Sequence, residues 1–421
     1  MSRALLLQLA RLGDLIQSLP VITALHSSFP EQPLDLLCAA PLVQLGRLFP
    51  GIHSIYPWEG EKWNAWAMMP IQDIQQQMEA TERYLADFSF PNYSVAYNLN
   101  NHPRSILASH LFSERVVGAG ELGPLHTSLP PWVDYLRQVA YERGNNRIHL
   151  ADAFCGICGV PPPTGVPTIE AKHIALPNDM ERVVKDLSGV QIGLVLGAGD
   201  PDRRVPLSVW QEFIQSCTER VPRCRLLLIG GSGEREAALV LEHNLSAQNR
   251  NQVINCCGRT NLPQLAAIFH HCQWVVGSDT GPLHLGVLCG AQAIGLYFSR
   301  ARVHETGPYG AGHWVWQAEG HQRTTAIGQE NHSGIYPKQW PVKESVDLLL
   351  EGNCRSIPEG WSVWKSHRDH LGAFYSEMGH LPIPSVEREQ VWQQLAGENT
   401  MGWNSINEVP VASDFQNNIQ V

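Results

Sequence analysis

The chain has 421 residues, 43% hydrophobic and 17% charged, the composition of a folded protein too long for one ordinary core. Its net charge is −10, which lends no support to a nucleic-acid partner but leaves room for a local basic pocket for an anionic ligand.

Strands and helices alternate from the start. "ALLLQLA" (4–10) reads as a strand and "GDLIQSLPVITALHSSF" (13–29) as a helix kinked at Pro20. Strand "LDLLCAA" (34–40) and the short helix "PLVQLGRLF" follow, then a helix over 71–88, strand "SVAYNLN" (94–100), helix "PRSILASHLF" and strand "ERVVGAG". This spacing predicts right-handed βαβ units on a parallel sheet. The turn-rich "GVPPPTGVP" near residue 160 marks a boundary. Beyond it, "QIGLVLGAG" opens a second alternating run: helix 206–219, strand "CRLLLIGG", helix 234–245, strand "QVINC", helix "LPQLAAIFHHC", strand "WVVGSD", helix 282–289 and strand "AQAIGLYF". A second parallel sheet covered on both faces is expected. "VKESVDLLLEG" (342–352) reads as a closing helix, and the polar tail from about 403 as disordered. The division expected is 1–175, 176–340 and a closing helix with an extension of unknown role over 341–421.

Arg11 and Asp14 interrupt the apolar N-terminus, no small-residue cleavage site follows, and no stretch approaches the ~20 apolar residues of a membrane span. A cytoplasmic protein with reduced cysteines is expected. "CGIC" (155–158) has no second pair at zinc-ribbon distance and lies on an amphipathic stretch, so it reads as core. "YPWEGEKWNAWAMMP" (56–70) is rich in Trp and Met; an acceptor- or membrane-facing loop and a segment buried under its own domain fit it equally.

In an open α/β sheet ligands bind beyond the carboxyl ends of the strands, where helix N-termini offer N–H groups. Four stretches fall at that edge. In "LARLGDLIQSLP", Gly13 permits a tight turn and Asp14 opens a helix, either as its cap or as a carboxylate able to take a proton from a hydroxyl. In "GAGDPDRRVPLSVW" (197–210), Arg203 and Arg204 beside a helix start make either a pyrophosphate site or a solvated pair. "DPD" in that stretch spells the DxD of metal-dependent sugar transferases, but its turn-forming context favours an ordinary loop. "LIGGSGEREAALVLE" (228–242) lacks GxGxxG spacing and puts Glu234 at a helix start. In "WVVGSDTGPLHLGVL", Asp279, Thr280, Gly281 and His284 gather where a strand meets a helix. They suit helix capping, or phosphate and sugar-hydroxyl binding. An aspartic protease is excluded, because it needs two such acids in an all-β fold.

Taken together, "RLGDLIQSLPVITAL", "NLNNHPRSILASHLF" and "INCCGRTNLPQLAAIFHHCQWVVGSDTG" with its continuation resemble glycosyltransferase family nine, the heptosyltransferases of lipopolysaccharide core assembly, over residues 3 to 350. The resemblance implies a GT-B fold, two Rossmann-like domains facing across a cleft. It implies inverting, metal-independent transfer of a sugar, typically from ADP-heptose, to a glycan or glycolipid acceptor. Asp14 would be the general base, with Gly13, Asn100 and Arg104 on the acceptor side. Arg203, Arg204, Glu234, Asp279, Thr280, Gly281 and His284 would bind the donor, Glu234 near its ribose. No cofactor, no metal and no nucleic acid is expected, and a monomer is, with peripheral contact at the cytoplasmic face of the inner membrane. Gly286 stands where many members have Ala, residues 311–336 lack the cysteines of many relatives, and the chain continues past 354; the last two departures bear on the acceptor. The rival readings are a UDP-sugar enzyme on the same scaffold (a transferase or 2-epimerase) and a non-catalytic nucleotide-sugar-binding protein.

Overall fold

The computed structural model describes residues 2–60, 90–121, 129–141, 143–184, 189–199, 201–221, 223–319 and 339–396. The expected helix over 71–88, most of the Trp- and Met-rich segment, Asp200 of the "DPD" turn and the tail from 403 lie outside them.

Two sheets organise the chain. The first contains β1 (Arg3–Gln8), β2 (Leu34–Ala39), β3 (Ile52–Trp58), β4 (Tyr93–Asn98) and β5 (Val116–Gly118), in the order β3-β2-β1-β4-β5. All its neighbouring pairs are parallel. The second contains β6 (Gln191–Val195), β7 (Arg225–Ile229), β8 (Val253–Asn255), β9 (Trp274–Ser278), β10 (Gln292–Tyr297), β11 (Trp314–Ala318), β12 (Trp361–Asp369) and β13 (Gly372–Glu377). Its order is β13-β12-β11-β10-β9-β6-β7-β8. The six strands from β11 to β8 are parallel, and β12 and β13 join antiparallel. The central strands are continuous buried apolar runs, "ALLLQ" in β1 and "LLLI" in β7, as strands covered on both faces must be.

The helix expected over 13–29 is two: α1 (Leu12–Gln17) and α2 (Leu19–Ser28). The break precedes Pro20, which has no N–H to continue the ladder. It falls at Ser18, whose Oγ donates to the Leu15 carbonyl at 2.6 Å. In chain order follow α3 (Pro103–Phe112), α4 (Pro131–Val139), α5 (Leu150–Ile157), α6 (Leu207–Arg220), α7 (Gly281–Leu288), α8 (Val303–Thr306), α9 (Val342–Glu351) and α10 (Val386–Ala396). Cys155 on α5 and Cys158 at its C-terminal cap are buried, and burial pushes both thiols up, as expected for core cysteines.

The C-terminal segment has a structural role that composition did not reveal. Its hairpin β12–β13 lengthens the second sheet, and α10 returns to the first domain, where Trp392 packs edge-on against Trp132 of α4 at 4.4 Å between ring centroids. Arg388, 1% exposed, makes a two-pronged ion pair with Asp369 at 2.7 and 2.8 Å. Asp152 of α5 accepts from the Tyr309 hydroxyl and the Ala373 N–H, each at 2.8 Å. The two domains are thus fastened along one side by buried polar and aromatic contacts.

Candidate active site

Strand order reverses between β1 and β4 in one sheet and between β6 and β9 in the other. An open parallel sheet forms its binding crevice at such a switch point. Every predicted site residue lies on the loops after β1, β4, β6, β7 or β9, or at the start of the helix that follows.

The two crevices meet through helix N-termini. A Cβ built on Gly281, at the start of α7, would lie 2.6 Å from Leu12 Cγ and 3.1 Å from Leu12 Cβ. Only glycine allows α7 this close to α1. Asp14 is the third residue of α1 rather than its cap; its Oδ2 accepts from the Arg11 N–H at 3.1 Å. Gly13 lies inside the same helix, not in the tight turn expected. Burial pushes the Asp14 carboxyl above its usual range and the Asp279 charge adds to this, against the opposing Arg11 N–H and guanidinium. A half-buried carboxyl of raised affinity is a better proton acceptor than an exposed one.

On the facing side, Asp279 directly follows β9 and both its oxygens have partners. Oδ1 is 3.0 Å from His284 Nε2, and Oδ2 accepts from Thr306 Oγ1 at 3.1 Å and lies 3.5 Å from Arg203 Nη1. Asp279 thus ties Thr306, His284 and Arg203 together at the donor-side edge, with acceptor capacity left on its two oxygens. His284, 4% exposed, holds that acid. Arg203 also donates to the Asp279 carbonyl at 3.0 Å and is locked from behind by Ser278 Oγ on its own carbonyl at 2.6 Å. Arg204 is exposed and anchored through Nε to the Ala198 carbonyl. Thr280 precedes α7, but its hydroxyl donates back to the Ser278 carbonyl at 3.1 Å, and no side chain caps the helix. Its first-turn N–H groups therefore carry no side-chain cap, and Arg203 stands beside them on the Asp279 carbonyl. Glu234 bonds the Gly231 N–H at 2.9 Å, and its carboxyl would sit 2.9 Å from a Cβ on Gly197, so it lines the loop between β6 and Arg203.

Asn100 lies at the first crevice but is spent on the fold. Its Oδ1 accepts from the Leu9 N–H at 2.6 Å and its Nδ2 donates to Gln8 at 2.7 Å. These bonds tie the loop after β4 to the end of β1, just before the loop that carries Asp14. Arg104 is exposed on the first turn of α3. Sequence reasoning missed Thr306, Glu305 and Arg143, where Arg143 Nη1 lies 3.1 Å from the Glu305 carboxylate. The available signal was "TGPYG" just past β10, at the same sheet edge as the other sites; a helix of four residues has no periodicity to read.

No helix among the described residues is long and apolar enough to cross a membrane. No curated protein sequence matches the chain. Residues 152–332 match the profile of Glycosyltransferase family 9 (heptosyltransferase). Among solved structures, the chain resembles a family 9 glycosyl transferase of Veillonella parvula DSM 2008, with TM-score 0.63 and 18% identity over 83% of this chain and 97% of that one. It also resembles two E. coli proteins, the ADP-heptose lps heptosyltransferase II (TM-score 0.52, 18% identity, 73% and 88% covered) and heptosyltransferase WaaC with ADP (0.53, 16%, 73% and 91%). At these identities the structures speak for the fold, which is the two-sheet GT-B type expected. The resemblance read from the residues is borne out: over 152–332 the chain carries the family 9 signature of the heptosyltransferase-type glycosyltransferases, on a GT-B scaffold.

Proposed function

We propose that this protein transfers a sugar from a nucleotide diphosphate-sugar, with ADP-heptose the first candidate, to a hydroxyl of a lipopolysaccharide-core or related glycan. The first domain takes the acceptor and the second the donor. The observation that carries this reading is the close approach of α1 to α7, which puts Asp14 opposite the uncapped helix start flanked by Arg203. In the proposed step the acceptor oxygen attacks the anomeric carbon as the bond to the diphosphate breaks, inverting the centre. Asp14 takes the hydroxyl proton, and the departing diphosphate receives the new charge. Arg203, Arg204 and the α7 N–H groups stabilise that charge; donors of this kind are worth about 10²–10³ in rate each, so the step needs no metal. Glu234 would face the ribose. The protein is proposed to act as a monomer at the cytoplasmic face of the inner membrane.

The test is release of ADP from ADP-heptose in the presence and absence of a heptose-accepting core oligosaccharide, with the product linkage read by NMR. Acceptor-dependent release with inversion supports the reading. Release from a UDP-sugar alone, or none from any donor, overturns it.

A further inference from the structure

Glu305 is a half-buried carboxylate near Asp14 and Asp279 that the proposed step does not use. It sits on α8, its side chain 13% exposed, and Arg143 Nη1 lies 3.1 Å from its carboxylate. Arg143 belongs to the 143–145 turn between α4 and α5, helices of the first domain. Around Glu305 stand two cations, Arg143 and Arg302, and two acids, Asp279 and Asp14. The residues beside it bridge the same gap. Thr306 Oγ1 holds Asp279 of the second domain at 3.1 Å, and the Gly307 carbonyl is 2.8 Å from Nε2 of the buried first-domain His149. Residues 305–307 therefore touch the first domain twice and the donor-side acid once.

We propose that Arg143 and Glu305 form a clasp across the cleft that holds Asp14 opposite the donor site, Glu305 being a positioning residue. This rests on the transferase reading for its catalytic consequence but not for its geometry. The ion pair lies in the same interdomain seam as the His149–Gly307 and Asp152–Tyr309 contacts, at the end nearest Asp14 and Asp279, and there it fixes the angle at which α1 and α7 meet. Through Thr306 it also fixes the orientation of Asp279. Misplacing a reacting group by about 1 Å can cost ~10²-fold in rate.

All ten native cysteines are buried, so spin labels at Ser28→Cys in one domain and Gln248→Cys in the other report the interdomain distance by double electron–electron resonance. In this background Glu305→Gln and Arg143→Ala are expected to broaden and lengthen the distance distribution. Their melting temperatures show that they fold. Arg143→Lys should keep the wild-type distribution, and the swap Arg143→Glu with Glu305→Arg should recover it at least in part. Transfer should fall about tenfold to a hundredfold in the two single variants and follow the distances in the others. Unchanged distances in Glu305→Gln and Arg143→Ala overturn the clasp, whatever the activity. Distances that shift in a protein with no transferase activity leave the clasp standing and reject the transferase reading instead.

Discussion

Replacing Gly281 by alanine tests the apposition of the two helix starts. The new methyl would stand 2.6 Å from Leu12 Cγ, 2.7 Å from Cδ2 and 3.1 Å from Cβ, about 1 Å inside normal carbon–carbon separation. Cδ2 and Cγ can swing away only by leaving the present rotamer, and Cβ moves only with the α1 backbone. In a closed core such overpacking costs about 1–3 kcal/mol. Here part of it can be relieved by opening the cleft, so the expected loss of stability is at the low end, about 1 kcal/mol. The catalytic loss should be larger, because a shift of about 1 Å between Asp14 and the donor site can cost ~10²-fold. The assay is a thermal melt beside steady-state transfer kinetics. Leu12→Ala in the Gly281→Ala background removes both clashing outer carbons and should restore much of kcat. Wild-type kcat in Gly281→Ala, or no recovery in the double variant, would refute the reasoning.

Asp14→Asn should lower kcat by about 10²–10⁴ while leaving ADP affinity, measured by calorimetry, within a few-fold of wild type. Asp152 is fully buried and its carboxyl is pushed up to about 7. Its folded pKa lies above its unfolded value, so the native state holds the extra proton between about pH 4 and 7, and stability from this group falls as pH rises through that window. Glu305, likewise raised to about 7 by burial, acts in the same direction. At about 1.4 kcal/mol per unit, Asp152 alone contributes on the order of a few kcal/mol. Asn at this position cannot ionise, so the melting temperature of Asp152→Asn should fall less steeply between pH 5 and 7 than that of wild type; parallel curves would count against the assignment. Trp392→Ala, which removes the aromatic anchor of α10 on Trp132, should destabilise by about 3–5 kcal/mol in a denaturant melt; a change under 1 kcal/mol would show that α10 is not part of the folded core.

Much of this architecture was legible because its central strands are long apolar runs bounded by glycine, where the pattern has few rivals. β3 was not. "IHSIYPW" is mostly half-exposed and contains Pro57, which a sheet tolerates only at an edge, and β3 pairs with β2 alone. The hairpin β12–β13 escaped for a related reason. "WSVWKSHRD" carries charge along its length, and its partners lie on β11 and β13, contacts that a local pattern cannot register. The site was legible where a strand end and a helix start coincide, as at Asp14 and Asp279. What sequence could not supply was the division of labour. Asn100 bonds Leu9 and Gln8, about ninety residues away, which a local pattern cannot register, and the short His284–Asp279 bond depends on how β9 meets α7. Thr306 and Glu305 join the site only because α8 is placed between both domains.

The donor site is the centre of the account, and thermal unfolding with ADP, UDP, GDP and NAD, in wild type and Arg203→Ala, tests it most directly. A ligand at about 100 times its dissociation constant stabilises by about 2.7 kcal/mol. The account predicts that ADP raises the melting temperature of wild type, that the other three do so less, and that Arg203→Ala abolishes the response. No response to ADP, or an undiminished one in Arg203→Ala, would contradict it.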